Sequence, residues 1–386
     1  MTTAMSARDL LEKLVSFPTV SRDSNLELVD WVEGYLNGLG VTCHRDYDET
    51  GQKASIYAHI GPEVDGGVIL SGHTDVVPVD GQDWETDPFS VVEKNGRLYG
   101  RGTCDMKGFD ALALALVAPA LERGLKRPLQ ICLTRDEEIG CRGAPPMIDH
   151  MAGRMPRASL AIIGEPTSMR TVTGHKGGTG FDMHMRGFEV HSSLQDRGVS
   201  AIMEGAKLID WANRMNADNR AKADPHSAFD PPYTTVHVGK IEGGTAHNIT
   251  AKDCRFVLSF RVIPTENPKD WEDRYLAEVR KLEAEMQKIA PSCFIGATPL
   301  WAVPGLRPEA DGAAETLVRR ITGDNATHAV SFGTEAGQFQ AGGYSAVVCG
   351  PGNIEQAHQA NEFITLEEFR KGEAFMADLL DILSED

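Results

Sequence analysis

The chain has 386 residues, of which 41% are hydrophobic and 24% charged, and its formal net charge is -18. That length predicts more than one domain, with enough apolar residues for their cores. Negative charge spread along the chain argues against a nucleic-acid partner, and no stretch approaches the roughly 20 apolar residues of a membrane-spanning helix. The start of the chain places acids within its apolar pattern, unlike a signal peptide, so we expect a cytoplasmic protein.

The seven cysteines are scattered along the chain, and none has the C-x-x-C spacing of a redox or zinc motif. We therefore expect reduced thiols rather than disulfides. Cys104 stands beside an aspartate discussed below, where a small buried neighbour is favoured over a metal ligand.

Apolar periodicity predicts two helices near the start of the chain, at residues 6–16 and 25–38, and Gly40 is placed to end the second. Five strand-like runs follow, with an Ala/Leu-rich helix at 107–125 between the third and the fourth. The runs cover residues 41–47, 53–60, 66–73, 128–138 and 159–167. Nearly continuous apolar strands that alternate with helices predict an α/β fold with a mostly parallel sheet. Binding and catalytic residues of such folds lie beyond the carboxyl ends of the strands.

The pattern changes from about residue 178, where the elements follow the order β-α-β-β-α-β of the ferredoxin-like unit. The α/β pattern then resumes and ends with a strand at 343–352 and a helix at 365–383. We therefore predict a discontinuous catalytic domain, 1–177 and 303–386, and an inserted dimerisation or lid domain, 178–302. The edge strands of the small inserted sheet need covering, which favours a homodimer that pairs through this domain.

The stretch SGHTDVVPVDG places a histidine and an aspartate two positions apart where a buried strand ends. A histidine that binds a metal usually donates its second ring N–H to a carboxylate, and Asp75 is placed to accept it from His73. Taken alone, the pair is more typical of a polar turn. Its interpretation depends on which other residues share this edge of the sheet.

Four other segments place acids or a histidine at or beside strand ends. Asp105 lies in the glycine-rich GRGTCDMKG ahead of a helix, which it could also merely cap. Three acids, Asp136 to Glu138, end the strand of TRDEEIG, and they repel one another unless a cation or solvent is near. Glu165 in IIGEPT ends another buried strand, and His358 in GPGNIEQAHQANE follows the last one.

Two imidazoles and three carboxylates thus form a mixed nitrogen and oxygen set at one edge of the predicted sheet. Its members are His73, Asp105, Glu138, Glu165 and His358. Such a set suits a pair of zinc ions, with cobalt or manganese as alternatives. An aspartate that bridges two metals about 3.5 to 4 Å apart would supply the shared ligand. The coincidence favours a two-metal site over five unrelated structural roles.

These five segments, in this order and with an inserted domain, resemble the dinuclear zinc aminoacylase and carboxypeptidase family known as peptidase family M20. The resemblance covers nearly the whole chain. It implies that His73 and Glu165 hold one metal and that Glu138 and His358 hold the other. Asp105 would bridge the two metals, and the peptide bond that follows it would be cis.

The resemblance also implies a mechanism of amide hydrolysis. Glu137 would act as the general base, taking a proton from a metal-activated water and giving it to the leaving amine, while Asp75 orients His73. No covalent intermediate would form. The sequence has no G-x-S-x-G motif, and no cysteine lies in a recognisable Cys/His signature, so a nucleophilic serine or cysteine is not expected.

Three residues of the inserted domain acquire roles from the same resemblance. His191 in GFEVHSS would donate a hydrogen bond to the oxyanion from the other subunit, and Asn248 and Arg261 would line the substrate pocket. An arginine there can form two hydrogen bonds with a substrate carboxylate. Simpler alternatives stay open, namely a surface histidine and an arginine on a strand surface.

Within the family, VSFGTEAGQF and EQAHQANEF look most like members that hydrolyse N-acetyl-L-ornithine to L-ornithine and acetate in arginine biosynthesis. Glu335, as an acid near two metals but not a ligand, could meet the free ammonium of that substrate, or could be a surface acid. An N-succinyl-diaminopimelate desuccinylase, a broader N-acyl-amino-acid amidohydrolase and a dipeptidase stay open as alternatives. A non-catalytic binding protein is the remote alternative, and it would be expected to lose Glu137 or a metal ligand.

Overall fold

The structure is a computed structural model that describes residues 3–385. Positions 1, 2 and 386 of the predicted domain ranges lie outside the described residues. The described chain divides into two compact units. The larger unit runs to Gly174 and continues over Leu306–His328 and from Thr334 onward, while the inserted unit comprises His175–Gly305 and Ala329–Gly333.

The described residues form fifteen strands and ten α-helices. The strands are β1 (Cys43–Tyr47), β2 (Ala54–Ile60), β3 (Val68–His73), β4 (Val92–Lys94), β5 (Arg97–Tyr99), β6 (Leu129–Thr134), β7 (Leu160–Ile163), β8 (Val172–His175), β9 (Gly177–Arg186), β10 (Thr235–Gly243), β11 (Asp253–Val262), β12 (Phe294–Val303), β13 (His328–Val330), β14 (Ser345–Val348) and β15 (Phe363–Thr365). The helices are α1 (Ala7–Val15), α2 (Leu26–Gly38), α3 (Lys107–Ala115), α4 (Val117–Arg123), α5 (Ala144–Met151), α6 (Ala201–Ala221), α7 (Pro268–Ile289), α8 (Ala313–Thr322), α9 (Ala336–Ala341) and α10 (Leu366–Ser384). Two short 3-10 helices lie at Ser192–Arg197 and Ile354–Gln356.

Eight strands form one sheet in the order β1-β2-β6-β3-β7-β14-β8-β13. Its centre is parallel, since β3 pairs in parallel with β6 and β7, and β7 with β14. The predicted α/β fold with a mostly parallel sheet is confirmed. In these registers His73 lies opposite Thr134 of β6, and Val348 of β14 lies opposite Ile163 of β7. The carboxyl ends of four strands therefore meet at one edge.

Two glycines let helix α3 pack directly against the ends of these strands. A β-carbon at Gly72 would lie 2.0 Å from Oδ1 of Asp110. One at Gly164 would lie 2.0 Å from the ring of Phe109. Both distances are far below van der Waals contact, so a larger residue would push the helix away from the sheet. Each glycine directly precedes a predicted metal ligand. This close packing therefore fixes the backbone position from which each ligand side chain extends.

The helix predicted at 107–125 is wrong in one respect, because it is interrupted at Leu116 to give α3 and α4. Pro119 has no N–H to donate to the carbonyl of Ala115, and its ring crowds that carbonyl. The chain therefore starts a new helix rather than continuing the first.

A small sheet in the order β15-β5-β4 was not predicted. Each of its strands has three residues and carries too little apolar pattern to be recognised. The register places Phe363 of β15 opposite Tyr99 of β5. This pairing joins two segments that are far apart in the sequence, just before Asp105 and just after His358.

The inserted unit contains an antiparallel sheet in the order β10-β11-β9-β12, with α6 following β9 and α7 following β11. The predicted β-α-β-β-α-β order is confirmed. Helix α7 begins where the side chain of Asn267 accepts from the N–H of Lys269 and Pro268 occupies the first turn. Both helices bury apolar side chains against the sheet, where the rings of Phe260 and Tyr275 lie 6.0 Å apart.

No helix within residues 3–385 is both long and apolar enough to span a bilayer. All seven cysteines are free thiols, as predicted, and six of them are buried.

Candidate metal centre

The predicted ligands of the larger unit come together at the shared edge of the parallel strands. His73 is the last residue of β3, Glu165 follows β7, and Glu138 follows β6. Asp105 lies in the turn that leads into α3, and His358 lies in the loop between β14 and β15. Because parallel neighbours end at the same edge, residues far apart in the sequence become neighbours in space.

Asp105 lies between the two histidines. Its Oδ1 is 3.1 Å from Nε2 of His73, and its Oδ2 is 3.2 Å from Nε2 of His358. The ring of His358 is also 3.1 Å from Oε2 of Glu138, and the ring of His73 is 3.7 Å from Oε1 of Glu165. The carboxylate of Asp105 thus offers one oxygen to each of two donor groups, as a bridging ligand would.

Two overlapping groups of donor atoms are close enough to hold an ion, because the atoms of each lie within 4.8 Å of one another. One group is His73, Glu137 and Glu165, and the other is His73, Asp105 and Glu138. Both share His73, the more deeply buried of the two histidines. The side chain of His358, by contrast, is 52% exposed.

Asp75 contacts the site in a way that its spacing alone does not reveal. His73 directs Nδ1 to the backbone carbonyl of Asp75 at 2.8 Å, whereas the nearest carboxylate oxygen of Asp75 is 3.8 Å away. The carboxylate instead accepts from Ser21 Oγ at 2.8 Å and from the backbone N–H groups of Glu137 and Glu138 at 3.1 and 3.3 Å. Asp75 therefore fixes the loop that carries both glutamates.

Asp136 is the one acid of TRDEEIG that is neutralised by the protein. Its backbone is in the left-handed region at a φ of 58°, which turns its side chain toward two cations. One carboxylate oxygen pairs with Lys53 Nζ, and the other accepts from Arg135 Nη1 at 2.9 Å. Glu137 and Glu138 have no such ion pair with lysine or arginine among the described residues, so they remain available to a bound cation.

Buried carboxyl groups outnumber the imidazoles at this edge of the sheet. Burial raises the pKa of Glu138, and the Asp105 carboxylate raises it further. Burial likewise raises the pKa of Glu165, with Asp105 and Glu137 adding to the effect. Burial also acts to raise the pKa of Asp105, but hydrogen bonds with both histidines outweigh it and hold that pKa below its usual range. A divalent cation would relieve the repulsion among these groups.

Glu137 has a partner that sequence analysis missed. Cys141 Sγ donates to Oε1 of Glu137 at 3.2 Å, in the turn that follows β6. Burial raises the pKa of Glu137, and the neighbouring carboxylates of Asp105 and Asp75 raise it further. Cys141 lies three residues beyond Glu138 in the sequence, but its spacing carries no recognisable signal.

Glu335 is buried at the amino end of α9 and lies beside the same carboxylates. Burial raises the pKa of Glu335, and the neighbouring Glu137 raises it further. Its Oε1 has no hydrogen-bond partner among residues 3–385. The alternative of a surface acid does not fit this burial.

The other three predicted residues lie in the inserted unit. His191 is exposed, and its Nδ1 is 2.8 Å from Ser193 Oγ. Asn248 is its neighbour, since the N–H of Ser192 donates to the carbonyl of Asn248 at 2.9 Å. Arg261 lies in β11, with its guanidinium 5.5 Å from the ring centre of Trp301. His191 and Asn248 are thus brought together within this unit.

The peptide bond between Asp105 and Met106 is cis, as the family resemblance implied.

Comparison with known proteins identifies the family. The profile described as peptidase family M20/M25/M40 matches residues 69–382. The chain belongs to this family. The match extends over every candidate ligand from His73 to His358, so family membership and the geometry of the site involve the same segments.

Curated M20 relatives and solved M20 structures cover almost the whole chain. Acetylornithine deacetylase of Myxococcus xanthus is 36% identical over 380 residues, which is 97% of each chain. Acetylornithine deacetylase of Pasteurella multocida (strain Pm70) is 33% identical over 365 residues, which is 92% of each. The M20 family metallo-carboxypeptidase Sso-CP2 from Sulfolobus solfataricus has a TM-score of 0.77 at 18% identity, over 98% of this chain and 99% of that one. At that identity, the structural likeness shows the fold.

Proposed function

We propose that the chain is an acetylornithine deacetylase, which hydrolyses the N-acetyl amide of N-acetyl-L-ornithine to L-ornithine and acetate with two divalent metal ions. The observation that carries the proposal is Asp105, whose two oxygens each face a ring nitrogen of a different histidine. The relatives from Myxococcus xanthus and Pasteurella multocida support the substrate, because they bear this name and match along more than nine-tenths of their length.

The residues at the strand ends fit a pair of divalent ions. In the proposed arrangement His73 and Glu165 hold one ion, Glu138 and His358 hold the other, and Asp105 is shared. Oε1 of Glu138 supports this arrangement, because it is buried without a hydrogen-bond partner among the described residues. Imidazole nitrogen and carboxylate oxygen suit zinc, with cobalt or manganese as alternatives. When bound, such ions lower the pKa of a water molecule and polarise the carbonyl that is attacked.

Glu137 is the proposed general base. It would take a proton from the attacking water and give it to the departing amine. The chain holds this residue at two points, since its N–H donates to Asp75 and its carboxylate accepts from Cys141. Asp75 therefore belongs to the proposed catalytic machinery as the acceptor that positions Glu137 as well as His73.

His191, Asn248 and Arg261 are proposed to complete the substrate site from the inserted unit. His191 would donate a hydrogen bond to the oxyanion in the other subunit. A well-placed donor of this kind stabilises the transition state by about 3 kcal/mol. Arg261 would pair with the α-carboxylate of the substrate. The support for these roles is that all three side chains are exposed.

Glu335 is proposed to favour a substrate with a cationic side chain. It is buried at the amino end of α9, beside Glu137. The ammonium of N-acetylornithine would stabilise the ionised form of Glu335, whereas the additional carboxylate of N-succinyl-diaminopimelate would bring a second negative charge without a compensating cation.

We also propose a homodimer that forms through the inserted unit, in a cytoplasmic protein. Exposed apolar residues of this unit support the dimer, and free cysteines support a reducing compartment.

The proposal is tested by measuring release of free amine from N-acetylornithine, N-succinyl-diaminopimelate and N-acetylmethionine. Each substrate is given to chelator-treated protein and to the same protein after zinc or cobalt is added back. We expect activity only after metal is restored, and the highest kcat/KM on N-acetylornithine. A higher kcat/KM on another substrate would contradict the proposed substrate, and no metal-restored activity on any of them would contradict the proposed class of enzyme.

A further inference from the structure

The two histidines of the proposed site are held to very different degrees. His73 is buried at the end of a central strand, and its second ring nitrogen bonds to the carbonyl of Asp75. His358 is half exposed and lies in a loop, with a φ of 62°. Among the described residues, its ring pairs only with Asp105 and Glu138. The position of His358 must therefore depend on what holds its backbone.

Arg101 and Glu362 form a fully buried ion pair beside this loop, which the proposed chemistry does not use. Arg101 Nη1 donates to Oε2 of Glu362 at 2.7 Å, and the two side chains are 0% and 1% exposed. The pair is set by the small sheet, because Arg101 follows β5 and Glu362 directly precedes β15. The N–H of Gly100 also donates to the carbonyl of Glu362 at 3.0 Å.

Glu362 holds the turn that carries the bridging aspartate. Its other oxygen, Oε1, accepts from the backbone N–H of Cys104 at 2.9 Å and from that of Asp105 at 3.1 Å. The carboxylate is thus shared between a guanidinium and two main-chain donors. Arg101 fixes the carboxylate, and the carboxylate fixes the turn.

Arg101 also reaches the His358 loop through Gln82. Its Nη2 donates to Oε1 of Gln82 at 2.7 Å, and Nε2 of Gln82 donates to the carbonyl of His358 at 2.9 Å. A second and longer contact joins Arg101 Nη1 to the carbonyl of Gln359 at 3.4 Å. One guanidinium therefore links the turn of Asp105 to the loop of His358.

We infer that Arg101, Glu362 and Gln82 form a positioning bracket that holds His358 at the correct distance from Asp105 and so sets the affinity of the metal position formed by Glu138 and His358. The inference rests on the proposed two-metal site. The other position is anchored by β3 and β7, which the bracket does not touch, but the two positions share Asp105. Loss of Gln82, which contacts the His358 loop and not the turn of Asp105, should therefore weaken one metal step and spare the other.

The test is a zinc titration of metal-free protein in competition with a chromophoric chelator. We expect two binding steps in the wild type. In Gln82→Ala, we expect one step to weaken by roughly 10- to 100-fold, the range for partners that orient metal ligands, while the other changes less than about twofold. In Glu362→Gln, which also loosens the turn of the shared Asp105, we expect both steps to weaken. Gln82→Ala is the variant less prone to misfold, because Gln82 is half-buried and uncharged, whereas Glu362→Gln leaves the buried Arg101 without a counter-charge.

The step that weakens is assigned with His358→Ala, which removes a ligand from one position. In the double variant His358→Ala/Gln82→Ala, the Gln82 change should have no further effect on zinc affinity, because the two residues act on the same position. Glu309→Gln is the matched control. Glu309 also accepts from a backbone N–H, that of Ala346 at 3.2 Å, but at the opposite end of β14.

The bracket is supported if the weakened step in Gln82→Ala is the one lost in His358→Ala and the control matches the wild type. It is overturned if both steps weaken together in Gln82→Ala, if neither step changes in that variant, or if Gln82→Ala weakens zinc binding further in the His358→Ala background. Wild-type protein that binds two zinc ions but does not release amine from N-acetylornithine would contradict the proposed function and leave this result intact. Fewer than two zinc ions in the wild type would overturn both.

Discussion

Glu137, the proposed general base, is held by the chain at two points. Its main chain is fixed by Asp75, and its carboxylate is fixed by Cys141. In the metal-free site, burial and the neighbouring carboxylates raise its pKa. The protein therefore fixes the position of this group through both its main chain and its side chain.

Glu137→Gln should keep both metal ions and lower kcat at least about 100-fold, because the amide retains the shape of the side chain but cannot take the proton. Zinc content and kcat on N-acetylornithine are the two measurements. Glu367→Gln, on the exposed surface of α10, should match the wild type in both. A Glu137→Gln enzyme with kcat near that of the wild type would remove Glu137 from the mechanism.

At the scale of single residues, the sequence indicates which side chains lie together at the edge of the sheet. It does not indicate which hydrogen bonds and ion pairs each of them makes. His73, Asp105, Glu138, Glu165 and His358 can be named because strand ends converge. The second role of Asp75 cannot be predicted, because its carboxylate bonds to main-chain groups more than sixty positions away. The three acids of TRDEEIG look equivalent in sequence, but only a left-handed backbone at Asp136 turns that residue toward cations.

Helix α3 packs against the strand ends that carry the proposed metal ligands, and its closeness to the sheet depends on glycine. A β-carbon at Gly164 would lie within 2.3 Å of three atoms of the Phe109 ring. An aromatic ring packed under a sheet cannot swing away as the tip of a flexible side chain can.

Gly164→Ala should lower the free energy of unfolding by about 3 kcal/mol or more, because α3 must shift to admit the methyl group. Gly34→Ala is the control, since Gly34 lies within α2 and nothing lies within 4 Å of its β-carbon position. That change should raise stability by up to about 1 kcal/mol, the difference in helix propensity. Urea unfolding curves measure both, and a neutral Gly164→Ala would mean that α3 is not held as closely as described.

At the scale of elements, long periodic segments are predictable and short ones are not. Helix α7 is one of the two helices of the predicted β-α-β-β-α-β order, and Asn267 and Pro268 favour its start. The strands β4, β5 and β15 escape prediction because three residues form no period, and their pairing depends on partners distant in sequence. The interruption between α3 and α4 could have been predicted from Pro119.

The inserted unit exposes apolar residues at the start of helix α6 and on β10. They are Ile202, Met203 and Ile241, of which Met203 is the most exposed at 59%. β10 is also an edge strand of its sheet, so its outer backbone groups have no partner strand there. A second copy that continues the sheet and covers these side chains would satisfy both needs.

Met203→Glu should therefore shift the proposed dimer toward monomer, because it places a charge in an apolar contact. Light scattering with size-exclusion chromatography measures the mass. Leu121→Glu is the control, since Leu121 is a similarly exposed apolar residue on the larger unit, and it should leave the mass unchanged. A wild-type mass equal to that of one chain, or a dimer unaffected by Met203→Glu, would contradict the proposed interface.

The larger unit is interrupted in the sequence by the inserted unit, and this has a consequence for synthesis on the ribosome. Glu165 emerges about 190 residues before His358, which corresponds to roughly 10 to 40 s of translation. For most of that interval β14, which lies beside β7 in the sheet, has not yet been made. Most of the inserted unit, from His175 to Gly305, is by then a continuous stretch of chain. The nascent protein should therefore fold from the middle outward, and binding of the proposed metal ions should be among the last events before release.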